Sequence, residues 1–366
     1  MQVLKERQTF PIEEIAFKVE NLLLKEPLRI ANENYKSSKT VFVSIKAKGF
    51  KGIGESAPDK EVTNEDFHSV SRFIEKANSE LKGRNSFDIQ GINQEMDKLS
   101  KVDSSAKAGI DIALYDLIGK ISKRNVASLL GGKGNSKPIS VTIGIENEKL
   151  SVKHARLYKR LGFKVIKLKV GLDVDADIKR VASIRKEIGN SVKLVADANQ
   201  GYTFKEAQFF LSNAEAFNLG FLEQPVNFPD FNSLKRLKEG SNIPIMADES
   251  VKSIEDLRML IDMNAVSMIN IKLMKMGGIT KAIKIANEAR SKNIGVMLGC
   301  MEESRVGIAA GMHLSLSVND IGFADLDAHL SHTNRFVYGG LKTVNGKNVI
   351  GKGYGLGLKF KKGLFN

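Results

Sequence analysis

With 366 residues, 42% hydrophobic and 27% charged side chains, 32 glycines, 7 prolines and no tryptophan, the chain has globular composition, which excludes disordered, collagenous and membrane-embedded classes. At about 100–200 residues per domain, this length accommodates one large domain and a smaller companion. Lysine plus arginine (56) exceed aspartate plus glutamate (42), for a net charge of +14. The basic residues are scattered through amphipathic segments, so no nucleic-acid partner is expected, while anionic small molecules would be attracted.

No window reaches the ~18 unbroken apolar residues of a membrane span, and the first residues lack a secretory pattern, so a cytoplasmic address with no membrane partner is expected. Cys300 is the single cysteine, and the five histidines show no zinc-ligand spacing near it. Any metal is therefore expected to be held by oxygen.

In chain order, residues 2–22 and 40–56 alternate as strands, most clearly at Thr40-Val-Phe-Val-Ser-Ile-Lys46, and 52–58 reads as a turn-rich loop. Helical spacing follows over 64–82 and 104–123. Strands followed by helices predict an α+β domain over residues 1–130.

From 131 to 340 the pattern becomes a repeat of short apolar strand, polar turn and amphipathic helix. Strands are predicted at 139–145, 165–170, 193–198, 220–224, 243–248, 268–273, 295–299 and 321–327. The charged residues ending the middle strands are evenly spaced: Lys169 to Asp197 is 28 residues, then 26 to Glu223, 25 to Asp248 and 24 to Lys272. Eight such units without a GxGxxG turn predict a closed β/α barrel rather than an open sheet. The glycine-rich segment 341–366 is expected to return to the first domain.

The C-terminal ends of barrel strands form the active-site face. Asp197, Glu223 and Asp248 each close a strand there. A single strand-end carboxylate is equally well a solvated end or a helix cap, but three from adjacent strands converge on one point and call for a counter-ion. Hard oxygen ligands make Mg²⁺ the natural one. Lys167 and Lys169, two residues apart, share the inward face of the second strand, and Lys272 lies on the sixth, across the barrel. A nearby metal and neighbouring ammonium groups are expected to lower the lysine pKa values, allowing a neutral base. Lys169 and Lys272 could then address opposite faces of one α-carbon.

These pieces resemble the enolase superfamily in its muconate-lactonizing-enzyme subgroup, whose sites use a basic side chain with Mg²⁺ stabilising an enediolate. The resemblance rests on Gly54-Glu-Ser-Ala-Pro58, the run from Ala108 to Lys120 leading to Leu129-Leu-Gly-Gly132, Lys167-Leu-Lys169, Asp197-Ala-Asn-Gln200, Glu223-Gln-Pro225, Ala247-Asp-Glu-Ser250 and Lys272, in family order. It implies an α/β fold, a modified TIM barrel of (β/α)7β type under an N-terminal α+β capping domain. It also implies Mg²⁺ on Asp197, Glu223 and Asp248, an acid/base pair of Lys169 and Lys272, and Lys167 beside the developing enolate charge. A homo-oligomer, octamer or dimer, belongs to the same implication.

The eighth strand ends Phe323-Ala-Asp-Leu-Asp327, placing Asp325 and Asp327 on one face, where two carboxylates suit a substrate ammonium group. The alternative is that Asp327 caps a following turn and Asp325 pairs with a basic neighbour. It resembles that of dipeptide epimerases, which implies a dipeptide substrate, L-Ala-D/L-Glu first, in peptidoglycan-peptide metabolism. Cys300, Met301 and Ser304 are candidate substrate contacts; the resemblance places Glu33 near the position of a substrate-binding arginine, with Arg29 or Lys36 as candidate partners for the second side chain. Epimerases for hydrophobic or cationic dipeptides, and an N-acylamino-acid racemase or o-succinylbenzoate synthase on the same fold, stand as alternatives. A basic nucleic-acid-binding barrel would explain the charge but not the carboxylates and lysines together.

Overall fold

The computed structural model describes residues 9–318, 321–333 and 336–361. Residues 2–8 of the expected first strand, and Asn334 and Arg335 after the eighth, lie outside them. An antiparallel sheet opens the chain: β1 (Glu14–Arg29), β2 (Asn34–Ala47) and β3 (Phe50–Ser56). Lys48 and Gly49, both at positive φ, make the two-residue turn between β2 and β3. The expected loop at 52–58 is thus corrected: residues up to 56 continue as strand. The glycines there serve a close approach. A Cβ at Gly54 would lie 2.0 Å from the Gly109 carbonyl oxygen, and one at Gly52 2.1 Å from that of Ala113.

Helices α1 (Phe67–Leu81), α2 (Ile89–Leu99) and α3 (Ser104–Ile121) cover this sheet. Helices α1 and α3 coincide with the expected helical stretches 64–82 and 104–123, and α2 falls between them where none was expected. Helix α3 is buried nearly all round: Ile110 and Leu114 face the cap core, while Ala108 and Ile112 pack into the barrel core. Short α4 (Val126–Leu129) and β4 (Ser136–Pro138) lead into the barrel.

The barrel alternates β5 (Ser140–Ile143), α5 (Glu148–Arg160), β6 (Val165–Lys169), α6 (Val174–Ile188), β7 (Lys193–Asp197), α7 (Phe204–Ala214), β8 (Leu219–Glu223), α8 (Phe231–Glu239), β9 (Ile245–Ala247), α9 (Ile254–Asp262), β10 (Met268–Lys272), α10 (Leu273–Met276), α11 (Ile279–Ser291), β11 (Gly295–Gly299) and α12 (Arg305–Ser315). Strands β5 to β11 form one parallel sheet in sequence order. The expected eighth strand is corrected to an extended segment with one bridge, Ile139 to Ala324. Its amides still tie both edges: Ala324 N donates to Pro138 O (3.0 Å), Ser140 N to Ala324 O (3.0 Å) and Asp325 N to Leu298 O (2.7 Å). Too few residues pair on either side to make a ladder, yet the period of two survives. Phe323 stacks on Phe221 inside the barrel, and Asp325 and Asp327 follow at the mouth.

Beyond the barrel come β12 (Val337–Gly339), β13 (Leu341–Val344), β14 (Lys347–Ile350) and β15 (Leu358–Phe360). Strands β13 and β14 form a sheet with β4. The tail also touches the N-terminal region, where Leu356 N donates to the Asp116 carboxylate (2.8 Å) and Gly355 N to Arg124 O (2.9 Å).

Candidate active site

Each barrel strand reads inward with a period of two, apolar below and polar at the mouth. Val165, Val195, Phe221, Met246 and Met297 fill the interior layer, and Lys167, Lys169, Asp197, Glu223, Asp248 and Lys272 stand above it. Asp197, Glu223 and Asp248 are fully buried. A cavity of about 320 Å³ lies between this face and the N-terminal loops. Its barrel side includes Lys167, Lys169, Lys272, Asp325 and Asp327, and its cap side runs through segments 28–39 and 57–67.

The charges are interlocked. Lys169 Nζ lies 2.7 Å from Asp197 Oδ2 and donates to Asn199 Oδ1 at 2.9 Å. Lys167 Nζ sits among Asp197 (2.9 Å), Glu223 (2.9 Å) and Asp325 (2.7 Å). Lys272 Nζ is 2.7 Å from Asp248 Oδ2, while Lys275, fully buried, bonds the other oxygen of Asp248. Asn270 Nδ2 donates to Glu223 (2.8 Å). Gln224 accepts from the amides of Asp248 (2.9 Å) and Ser250 (3.1 Å), locking the neighbouring strand ends together. Asn199, Gln200 and Gln224 adopt positive φ directly after the strands, a costly backbone concentrated where side chains must turn back into the mouth.

Burial opposes the charged form of Lys272, but Asp248 and Glu249 outweigh it and hold the lysine above its ordinary value. Lys167 is likewise raised against burial by Asp197, Asp325 and Glu223. Without a metal, carboxylates are the closer charges to these two lysines and outweigh the neighbouring ammonium groups. Burial, then Asp197, pushes Glu223 up to about 8, and burial, then Asp248, pushes Glu249 up to about 7. Lys167 and Lys169 overcome burial to hold Asp197 down at about 2.

Five buried carboxyl groups (Asp197, Glu223, Asp248, Glu249 and Asp325) and the half-buried Asp327 gather at the same end of the barrel as four lysines (Lys167, Lys169, Lys272 and Lys275), and Asp197, Glu223, Asp248 and Asp325 pair with those lysines directly. This leaves an excess of two negative charges if all ionise, and the donor set is hard oxygen. A divalent cation such as Mg²⁺ fits both features. Among the described residues no three such groups stand in a ready-made metal geometry; ammonium groups lie between the carboxylates.

Asp325 accepts from Ser140 Oγ (2.6 Å) and Lys167, whereas Asp327 accepts only the Thr142 amide (2.7 Å) among the described hydrogen bonds. Burial and Asp325 push Asp327 up to about 7. Cys300 and Met301 line the cavity; burial, then Glu303, pushes the Cys300 thiol well up, so it remains neutral. Two candidates stand elsewhere. Ser304 caps α12 and bonds Glu55 (2.6 Å) rather than lining the cavity. Arg29 is exposed and outside the lining, between Leu28 and Ile30, which do line it. Lys275 and Glu249 were missed. Glu249 adjoins Asp248, and Lys275 lies three residues after Lys272 on the short α10, so spacing carried a signal for both.

Comparison with known proteins fits this geometry. Residues 13–131 match the mandelate racemase / muconate lactonizing enzyme N-terminal domain, and 150–363 match the enolase C-terminal domain-like family. The chain is 36% identical to a hydrophobic dipeptide epimerase of Enterococcus faecalis, over 95% of this chain and 99% of that one. It is also 36% identical to an L-Ala-D/L-Glu epimerase of Clostridium acetobutylicum, over 92% and 95% respectively. The crystal structure of a dipeptide epimerase from Enterococcus faecalis, complexed with Mg and L-Leu-L-Tyr, superposes with a TM-score of 0.92 at 35% identity, covering 95% of this chain and 99% of that one. These relatives are isomerases, and the chain belongs with them to the mandelate racemase / muconate lactonizing enzyme family of the enolase superfamily.

Proposed function

We propose that the protein is a Mg²⁺-dependent dipeptide epimerase that inverts the α-carbon of the C-terminal residue by moving protons between Lys169 and Lys272. The observation that carries this reading is the placement of two lysines on strands β6 and β10, with three strands between them, around a cavity that also presents Asp325 and Asp327. Asp197, Glu223 and Asp248 would hold the metal, which when bound would neutralise the substrate carboxylate and make the adjacent C–H more acidic.

The remaining steps belong to side chains. One lysine, as the amine, takes the α-proton from one face, and the C–H electron pair passes into the carboxylate to give an enediolate. The other, as the ammonium, returns a proton to the opposite face, so the two exchange protonation states in each turnover. Asp248 and Glu249 favour the ammonium form of Lys272, which suits it to the donor role in the first half. Lys167 stays charged beside the enediolate. Asp325 and Asp327 receive the dipeptide ammonium; that cation relieves the repulsion that raises Asp327.

For the second side chain, L-Ala-D/L-Glu calls for a cation in the cap wall. Among the described residues the lining contains no arginine. Lys39 and Lys60 share that wall with Glu33, Asp59, Glu61, Glu65 and Asp66, and Lys39 Nζ lies 4.0 Å from the Phe67 ring centroid. Leu28, Ile30, Val62 and Phe67 supply apolar surface. This wall favours a hydrophobic or cationic side chain over glutamate.

The test is proton NMR in D₂O with Mg²⁺ and a dipeptide panel containing L-Ala-L-Glu, hydrophobic and lysine-bearing members, alongside N-acylamino acids. Loss of the C-terminal α-proton signal with growth of the second diastereomer is expected for dipeptides. Turnover of N-acylamino acids alone would replace this reading with the racemase alternative.

A further inference from the structure

Strand β3 is pleated between two neighbours. Gly52 and Gly54 press on the backbone of α3, so the alternate residues Ile53 and Glu55 face the other way, toward the barrel. Ile53 joins the barrel core, and Glu55 is completely buried beside it. Its carboxylate takes four hydrogen bonds. Oε1 accepts from Thr40 Oγ1 (2.7 Å) and Ser304 N (2.8 Å); Oε2 accepts from Ser304 Oγ (2.6 Å) and Gly307 N (2.8 Å). Three of these donors belong to the first turn of α12, where unpaired amides and the helix dipole both favour an anion.

The location gives this contact a consequence for the cavity. Chain continues from Glu55 directly into 57–62, which line the cap side, and from Ser304 back into Cys300 and Met301, which line the barrel side. Glu303 reinforces the second segment by accepting the Met301 amide at 2.8 Å. One buried carboxylate thus joins the roots of two cavity walls that come from different parts of the fold.

We propose that Glu55 is a positioning residue for substrate binding, clamping the cap wall to the barrel wall so that both hold one spacing around the dipeptide. It touches no reacting atom, so its loss should weaken binding more than chemistry. The kinetic arm rests on the epimerase reading, whereas the structural arm does not.

The test is Glu55→Gln in the full-length protein, which keeps the volume but sets an amide NH₂ against N–H and O–H donors. KM for the best dipeptide is expected to rise on the order of tenfold, as for loss of a charge-assisted hydrogen bond, with kcat changed by less than about threefold. Amide hydrogen exchange should quicken in 57–62 and in 300–307 together, with the strands of the barrel unaffected. Faster exchange in 304–307 alone would reduce Glu55 to a helix cap and overturn the clamp, as would an unchanged KM. Should Glu55→Gln fail to fold, Thr40→Val removes a single donor at the far side of the same carboxylate and should move both segments and KM in the same direction, to a lesser degree. If no dipeptide is turned over by the unmodified protein, the epimerase reading fails, and the paired exchange still decides the clamp.

Discussion

The two walls of the cavity are held by different forces. On the barrel side, each of the three cavity lysines has a carboxylate within 3 Å: Lys169 has Asp197, Lys272 has Asp248, and Lys167 has three. On the cap side, the lining comes from the ends of β1 and β2, the turn between them and the loop after β3, with Lys39, Lys60, Glu33 and Glu61 exposed. Tyr35 Oη to Asp59 (2.9 Å) and Asn32 Nδ2 to Asn199 O (2.8 Å) join these pieces to one another and to the barrel. A rigid, preorganised floor suits proton transfer, which tolerates little misplacement, and an adaptable wall suits the choice of side chain.

Removing a floor lysine is the strongest way to break this contrast. Lys169→Ala and Lys272→Ala are each expected to lower kcat by about 10³–10⁴, the upper range for loss of a general acid or base, while dipeptide binding survives. Single-turnover exchange in D₂O separates them, because a substrate of one configuration should still lose its α-proton to whichever lysine faces it. Chelating the metal should abolish exchange in the unmodified protein and be reversed by Mg²⁺.

The floor was legible in the sequence because barrel units repeat: each strand ends at the same height, so spacings of 28, 26, 25 and 24 residues map onto one ring of side chains. Asp325 and Asp327 were legible for the same reason, even though their segment lacks a ladder, since alternation depends on extended backbone rather than on pairing. Ser304 misled because its nearness to Met301 is sequential only; capping α12 turns it toward Glu55. Arg29 was not legible from spacing, since the strand expected there stopped at residue 22 and only the resemblance pointed to an early basic residue; β1 runs on to Arg29, and Leu28 and Ile30 line the cavity with Arg29 between them.

A second test loosens the junction of the two regions. His313 on α12 is buried and accepts the Ala127 amide through Nδ1 at 3.0 Å; burial lowers its pKa to about 4. The unfolded chain binds that proton near the ordinary value of about 6.5, so the native state binds fewer protons between the two values. Stability is therefore full above about pH 6.5 and falls as pH drops toward 4, by roughly 3 kcal/mol from this group. His313→Gln, which retains an acceptor, should flatten that part of the Tm-against-pH curve. An unchanged acid limb would show that His313 is not the group responsible.

Smaller effects are expected where the floor meets the substrate ammonium. Asp327→Asn should raise KM for dipeptides by about 10- to 100-fold, through loss of one charge-assisted contact. Asp325→Asn should also disturb Lys167, and so lower kcat as well as affinity. Measuring both constants for both variants tests whether the aspartates divide in this way, since equal losses would mean that they act as one binding unit.

The cap wall supplies the finest discrimination. Glu33 lines the cavity and Arg29 does not, although they are only four positions apart and both are exposed. Glu33→Gln should shift the ratio of kcat/KM for lysine-bearing over glutamate-bearing dipeptides by up to about tenfold toward glutamate, a modest change because water screens a charge at an exposed rim. Arg29→Met should leave the same ratio within about twofold. If the arginine variant instead loses glutamate-bearing substrates selectively, the cap must move on binding to bring Arg29 around, and the adaptable wall would then choose its substrate by rearrangement rather than by the charges it already presents.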